Sequence, residues 1–247
     1  MKLISITTAA LLSTTAVAEY KSGPFPKSLE EVRTLSSSTG ESCQEQLEIG
    51  SRCILRNWDS ETKDLFVEAY VFLPKADYSD HIEIAEIYLD FPSWPAYVEE
   101  VEGSSVIDFE TSEIIHEGTD TKGNRTLVQY FKYAIKAPFP INKMPTEGTS
   151  SYTIFSNPAP GAIFSGEFTN TKEWGNGWPL KTPMPDGRIK GVGLVGQDAN
   201  LHIVDAGEDY LVIYRTRAHP QIELLPMVSA RVMEKALRDI LEGLFPE

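Results

Sequence analysis

The chemistries open to this chain are each limited by the type and spacing of its residues. Cys43 and Cys53 are its only cysteines. A pair this close reads as a disulfide closing a small loop, if the compartment is oxidising. Two free buried thiols are the alternative. A metal site fits poorly, since there is no C-x-x-C pair and no nearby histidine. The histidines, His81, His116, His202 and His219, form no H-E-x-x-H pair, and on a helix His81 and Glu83 point apart. Gly191-Val-Gly193-Leu-Val-Gly196 matches G-x-G-x-x-G, but a dinucleotide cradle needs a strand before it and a helix after it. Here a strand-like segment follows, so the plain reading is a glycine-rich strand edge or bulge. Carboxylates such as Glu99, Glu100 and Glu102 are plentiful, yet no pair is placed in one site by spacing. No G-x-S-x-G elbow is present. Asn124-Arg-Thr126 is a glycosylation acceptor in a eukaryotic source. No catalytic residue, metal ligand or cofactor is therefore assigned.

The whole chain narrows the classes further. Its 247 residues are 41% hydrophobic and 10% aromatic, enough for one sizeable core. A formal net charge of -14 argues against nucleic acid and anionic membrane surfaces as partners. Lys2, the apolar run Leu3 to Leu12 and Ala16-Val17-Ala18 have the form of a signal peptide over residues 1–18, cleaved before Glu19. Beyond it no apolar run reaches the ~18–20 residues that span a bilayer. The expectation is an exported, secreted or periplasmic protein with no stable membrane insertion, in which the two cysteines meet an oxidising environment.

The elements that must position any site follow in order. Residues 19–60 read as an N-terminal extension with one short helix around Leu29 to Leu35. Leu65 to Leu73 is a strand, with Val67, Ala69 and Val71 on one side and Glu68 and Tyr70 on the other. Asp80-His-Ile-Glu83 has the form of a capping box, opening a helix that ends near Asp90. Its apolar face is Ile82, Ala85 and Leu89, with Ile84 and Tyr88 alongside. Phe91-Pro-Ser-Trp-Pro-Ala-Tyr97 forces a turn, with Trp94 and Tyr97 as anchors on a sheet. Strand-like segments follow at Val98 to Phe109, Glu113 to His116, Thr126 to Ile135, Ser151 to Ser156, Ala162 to Thr169, Leu201 to Asp205 and Tyr210 to Arg217. Pro138 to Pro145 reads as a turn and Lys172 to Lys190 as a long surface loop. Alternation puts Leu127, Gln129, Phe131, Tyr133 and Ile135 inside. Short connections favour an antiparallel meander. His219-Pro220 leads into the last helix.

That helix, Pro226 to Leu244, is the best-patterned element. Val228, Val232, Ala236, Leu237, Ile240, Leu241 and Leu244 make one stripe, with Arg231, Glu234, Lys235, Arg238 and Asp239 on the wet face. Gly243 and Pro246 read as stop signals. One long helix after many strands predicts an α+β fold, a curved antiparallel sheet wrapped around the C-terminal helix.

Strand, helix, the stretch Asp90-Phe91-Pro-Ser-Trp94-Pro95-Ala-Tyr97, many strands and a final helix resemble the START-like superfamily, whose members share the helix-grip fold. The resemblance covers roughly Leu65 to Leu244, giving a domain over residues 61–247. It implies a cavity between sheet and C-terminal helix that holds a lipid or other apolar small molecule. Trp94, Phe131, Tyr133, Tyr214 and Met227 are the candidate wall residues. Plain core packing explains each of these alone equally well. Arg231 would meet an acidic group of the ligand, or else lie exposed with its stem over apolar surface. Within the family, a cyclase- or aromatase-type enzyme using the same cavity is the alternative. A module without ligand, its cavity filled in, is another. Oligomeric state is not specified by the sequence.

Overall fold

A computed structural model describes residues 25–38, 40–58, 65–99, 101, 107–136, 143–170, 190–191, 194–220 and 226–246. At 58, 65, 135, 143–147, 170, 190–191, 194–198, 217–220 and 226–233 it describes the backbone alone. The expected signal peptide and the Lys172 to Lys190 loop, save Lys190, lie outside the described residues.

Nine strands make one antiparallel sheet among the described residues. They are β1 (Arg52–Trp58), β2 (Leu65–Pro74), β3 (Ile107–Thr119), β4 (Arg125–Lys136), β5 (Lys143–Ile154), β6 (Phe164–Asn170), β7 (Lys190–Gly191), β8 (Leu194–Ala206) and β9 (Asp209–Pro220). The order is β1-β2-β9-β8-β6-β5-β4-β3, with β7 on β5. The helices are α1 (Leu29–Arg33), α2 (Cys43–Leu47), α3 (His81–Leu89), α4 (Trp94–Glu99) and α5 (Pro226–Leu244). The fold is the expected α+β arrangement, a curved sheet against a long C-terminal helix.

Alternation along β2 sorts two cores. Val67, Ala69 and Val71 join the inner core with Ile84, Tyr88, Leu237 and Leu241. Tyr70 and Phe72 face the other way, into a second core with Phe25, Val32, Cys43 and Leu47. The N-terminal stretch therefore covers the outer face of the sheet. It is fixed there by the Cys43–Cys53 disulfide, whose Cα atoms are 5.2 Å apart. Arg56 binds Glu41 of this stretch, and its Nε lies 3.2 Å from Glu234 of α5.

Several expectations change. β1 lies inside the stretch read as an extension, residues 19–60, and pairs with β2 from Arg52↔Val71 to Trp58↔Leu65. Its run Arg52-Cys-Ile-Leu55 is buried on both faces, so it lacks the alternation that marks a half-exposed strand. Val98 belongs to α4 and not to a strand, because Pro95 near the helix start has no N–H needing a partner. β5 starts at Lys143, within the expected turn, and admits Pro145 opposite Ala134. His219-Pro220 ends β9.

The capping of α3 is as expected at Asp80, whose carboxylate accepts from the N–H groups of Ile82 and Glu83. Glu83 reaches back one residue further than a capping box does, accepting from the Ser79 N–H at 2.7 Å. Ile82 is exposed, and the buried face is Ile84, Ala85, Tyr88 and Leu89. Asp239 is 2% exposed and so leaves the wet face of α5. Gly243 is inside α5. A Cβ there would stand 2.4 Å from the Tyr97 carbonyl oxygen, so glycine permits the approach of α5 to α4 and is not a stop.

Candidate functional site

The site lies where the inner face of β3, β4, β5, β6 and β9 meets α4 and α5. Period-two alternation brings Gln129, Phe131 and Tyr133 of β4 to one wall, and Ser150 and Tyr152 of β5 beside them. Phe168 of β6 and Tyr214 and Thr216 of β9 complete the sheet side. Trp94 closes one end, and Ala236, Leu237 and Ile240 of α5 form the roof. The space between these walls is about 80 Å³. That is room for roughly five water molecules, or for a ring or a short chain segment.

Aromatic packing shapes this wall. Phe109 and Phe131 lie 5.5 and 5.4 Å from Tyr133, centroid to centroid. Trp94 meets Phe109 edge-on at 6.4 Å, and Tyr152 stacks on Phe168 at 5.0 Å. The Trp94 indole N–H donates to the Tyr88 carbonyl at 3.0 Å, which fixes the ring. Tyr97 donates to Asp90 at 3.4 Å, so the Asp90–Tyr97 turn is tied at both its ends.

One polar chain crosses the apolar wall. Gln129, 3% exposed, accepts from the Tyr152 hydroxyl at 2.8 Å and donates to Ser112 Oγ at 2.7 Å. Ser112 reaches it through a bulge. A register shift between Phe109 and Thr111 reverses the facing parity of β3, so Phe109 and Ser112 share the inner side. Burial raises the hydroxyl pKa of Tyr133, Tyr152 and Tyr88 well above the ordinary value, helped by their neighbouring tyrosines. All three therefore stay protonated and neutral at ordinary pH. Among the described lining residues there is no Asp, Glu, His, Lys or Arg.

Of the residues singled out in the sequence, Trp94, Phe131, Tyr133 and Tyr214 line this space. Met227 and Arg231 lie on α5, and their side chains are outside the described set. The other lining residues were not singled out as binders. Alternation alone marks Gln129 as inward, but Ser112, Ser150 and Thr216 carry no signal, because their facing depends on bulge and register.

Other sequence features do not converge. The histidines are dispersed over α3, β3, β8 and β9, and no group of three metal-ligating side chains occurs among the described residues. Gly191 ends β7 and Gly196 lies in β8 at a register shift, so strands flank the glycine motif on both sides. No helix follows to hold a pyrophosphate. Asn124 is buried in a turn. Its Nδ2 donates to Asp120 at 2.9 Å and its Oδ1 accepts from the Ser156 N–H, so it is a structural asparagine and not an exposed glycan acceptor. A larger open groove of about 900 Å³ runs between α2 and α5, lined by Glu41, Glu45, Arg52, Glu234 and Glu242. Beside it Arg56 pairs with Glu41 and Glu234, and Arg238 pairs with Glu234.

No family model matches the sequence, and no curated protein matches it. Solved structures do. A STAR-related lipid transfer protein fragment from Xanthomonas axonopodis aligns with a TM-score of 0.54 at 13% identity, over 78% of this chain and 91% of its own. The human StarD13 lipid transfer and protein localization domain aligns at 0.47 and 10% identity, over 81% and 87%. A START superfamily protein from Mycobacterium smegmatis aligns at 0.41 and 13%, over 72% and 93%. With the first of these as its warrant, the chain has the helix-grip fold of the START-like proteins.

Proposed function

We propose that this protein binds an apolar or amphipathic small molecule between its sheet and α5, without chemistry, as an exported protein. The observation that carries the reading is the space walled by Trp94, Phe131, Tyr133, Tyr214 and the roof of α5. Such a wall gains affinity by removing ligand surface from water. The Xanthomonas protein that this chain resembles in fold is a STAR-related lipid transfer protein, which agrees with this reading. Among the described lining residues no carboxylate or imidazole converges to act as acid or base, which supports binding over a cyclase-type reaction. At about 80 Å³ the space takes a ring or a short chain. The signal-like residues 1–18 and the Cys43–Cys53 bond support export. No helix among the described residues is long and apolar enough to cross a membrane.

Titration with the uncharged fluorophore N-phenyl-1-naphthylamine tests this. A saturable rise in emission is expected, displaced by small apolar molecules. Tyr133→Asp should weaken it more than tenfold while circular dichroism stays native. A wild-type protein that binds neither the fluorophore nor any member of a lipid panel overturns the reading.

A further inference from the structure

We propose that Gln129 is the polar anchor of this cavity, and that the ligand it selects is uncharged and carries a carbonyl, ether or hydroxyl oxygen. The inference rests on the binding reading above and narrows its ligand class.

A buried amide in an aromatic wall is costly unless its hydrogen bonds are made. Gln129 has two N–H donors and an oxygen with two lone pairs. Tyr152 and Ser112 engage one position at each end. Both partners are hydroxyls that donate or accept, so turning the amide over keeps both bonds. In either orientation one N–H and one lone pair are left over, on a residue that lines the space. The two bonds also hold the amide rigid, so a ligand oxygen would meet a donor already in place. Ser150 stands directly opposite Gln129 across β4 and β5, which puts a second hydroxyl at the same end. The far walls are aromatic and aliphatic. A ligand ion would lose its water and meet no opposite charge among the described lining residues. The buried Tyr152 hydroxyl stays protonated with its proton on Gln129, so it puts no anion in the wall.

A merely structural Gln129 would hold Tyr152 in place and ignore the ligand. Two measurements separate these roles. The first compares octan-2-one with 2-methyloct-1-ene, in which a methylene replaces the carbonyl oxygen, by displacement of N-phenyl-1-naphthylamine. One hydrogen bond corresponds to roughly two- to tenfold in affinity. The ketone-to-alkene ratio of Kd should shift by that factor between wild type and Gln129→Leu, and an unchanged ratio overturns the proposal. Octanoate at pH 7.5 should bind at least tenfold more weakly than the ketone in wild type, and equal binding overturns the uncharged assignment. The second measurement needs no variant and stands if Gln129→Leu fails to fold. The infrared carbonyl stretch of carbon-13-labelled octan-2-one bound to wild type should lie below its position in hexane. A hexane-like stretch overturns the anchor. A wild-type protein that binds neither the fluorophore nor the ketone instead removes the binding reading itself.

Discussion

His202 shows how far one side chain can be from the chemistry its type suggests. It is buried on the outer face, with Nδ1 2.9 Å from Ser165 Oγ and its ring 4.5 Å from that of Phe25. Ser165 in turn accepts from the Ala159 N–H at 3.0 Å. Burial, and secondarily the charge of Arg215, push its pKa down to about 4. Unfolded histidine titrates near 6.5. Between those values the unfolded chain holds the extra proton, so stability is full above about 6.5 and falls as pH drops towards about 4. Urea unfolding at pH 7 and pH 4.5 measures this. Wild type should lose on the order of 2 kcal/mol more between the two than His202→Gln does. Equal losses would mean that the neutral ring is not what the fold demands there.

Among the elements, α4 and α5 make the contact on which the roof of the cavity depends. Alanine at a helical glycine ordinarily adds about 0.5–1 kcal/mol. At Gly243 the new methyl would overlap the backbone of Tyr97, at 2.4 Å from its oxygen and 2.7 Å from its carbonyl carbon. Backbone cannot rotate aside, so α5 must move, at a cost of about 1–3 kcal/mol. The overlap should win, leaving Gly243→Ala less stable by about 1–2 kcal/mol in urea titration. The neighbouring Glu242→Ala should stay within about 0.5 kcal/mol of wild type. Ile240, one turn earlier, lines the cavity, so fluorophore affinity should fall along with stability. A stabilised Gly243→Ala would show that the two helices are not in contact as described.

For the whole molecule, the N-terminal stretch packs against the sheet. Phe25, Val32 and Leu47 share a core with Tyr70, Phe72 and Ile213, and Arg52 of β1 donates to the carbonyl of Phe245 beyond α5 at 2.8 Å. The Cys43–Cys53 bond closes a loop ten residues long. Chain-entropy arguments give such a loop about 2–3 kcal/mol. Replacing both cysteines with serine should lower stability by that amount and leave a single cooperative transition. Two separate transitions would show that the stretch unfolds apart from the sheet.

Elements whose patterns are local could be read from the sequence. The stripe Ala236, Leu237, Leu241, Leu244 names α5, because 3.6-residue periodicity survives without knowing the partner. Alternation around Phe131 and Tyr133 names an inward face, and Asp80 names a helix start. The cysteine pair and the order of elements were also legible, and with them the fold. The rest came from packing between distant segments. β1 was hidden because a strand buried on both faces has no alternation. Gly243 looked like a terminator because its reason is Tyr97, nearly 150 residues away in the chain. Ser112 joined Gln129 through a bulge, and Ser150 did so through register, neither of which is written in local composition. Periodicity reports which face of an element avoids water; what that face meets is fixed only when distant segments pack, because a contact is a property of two segments and a pattern is a property of one.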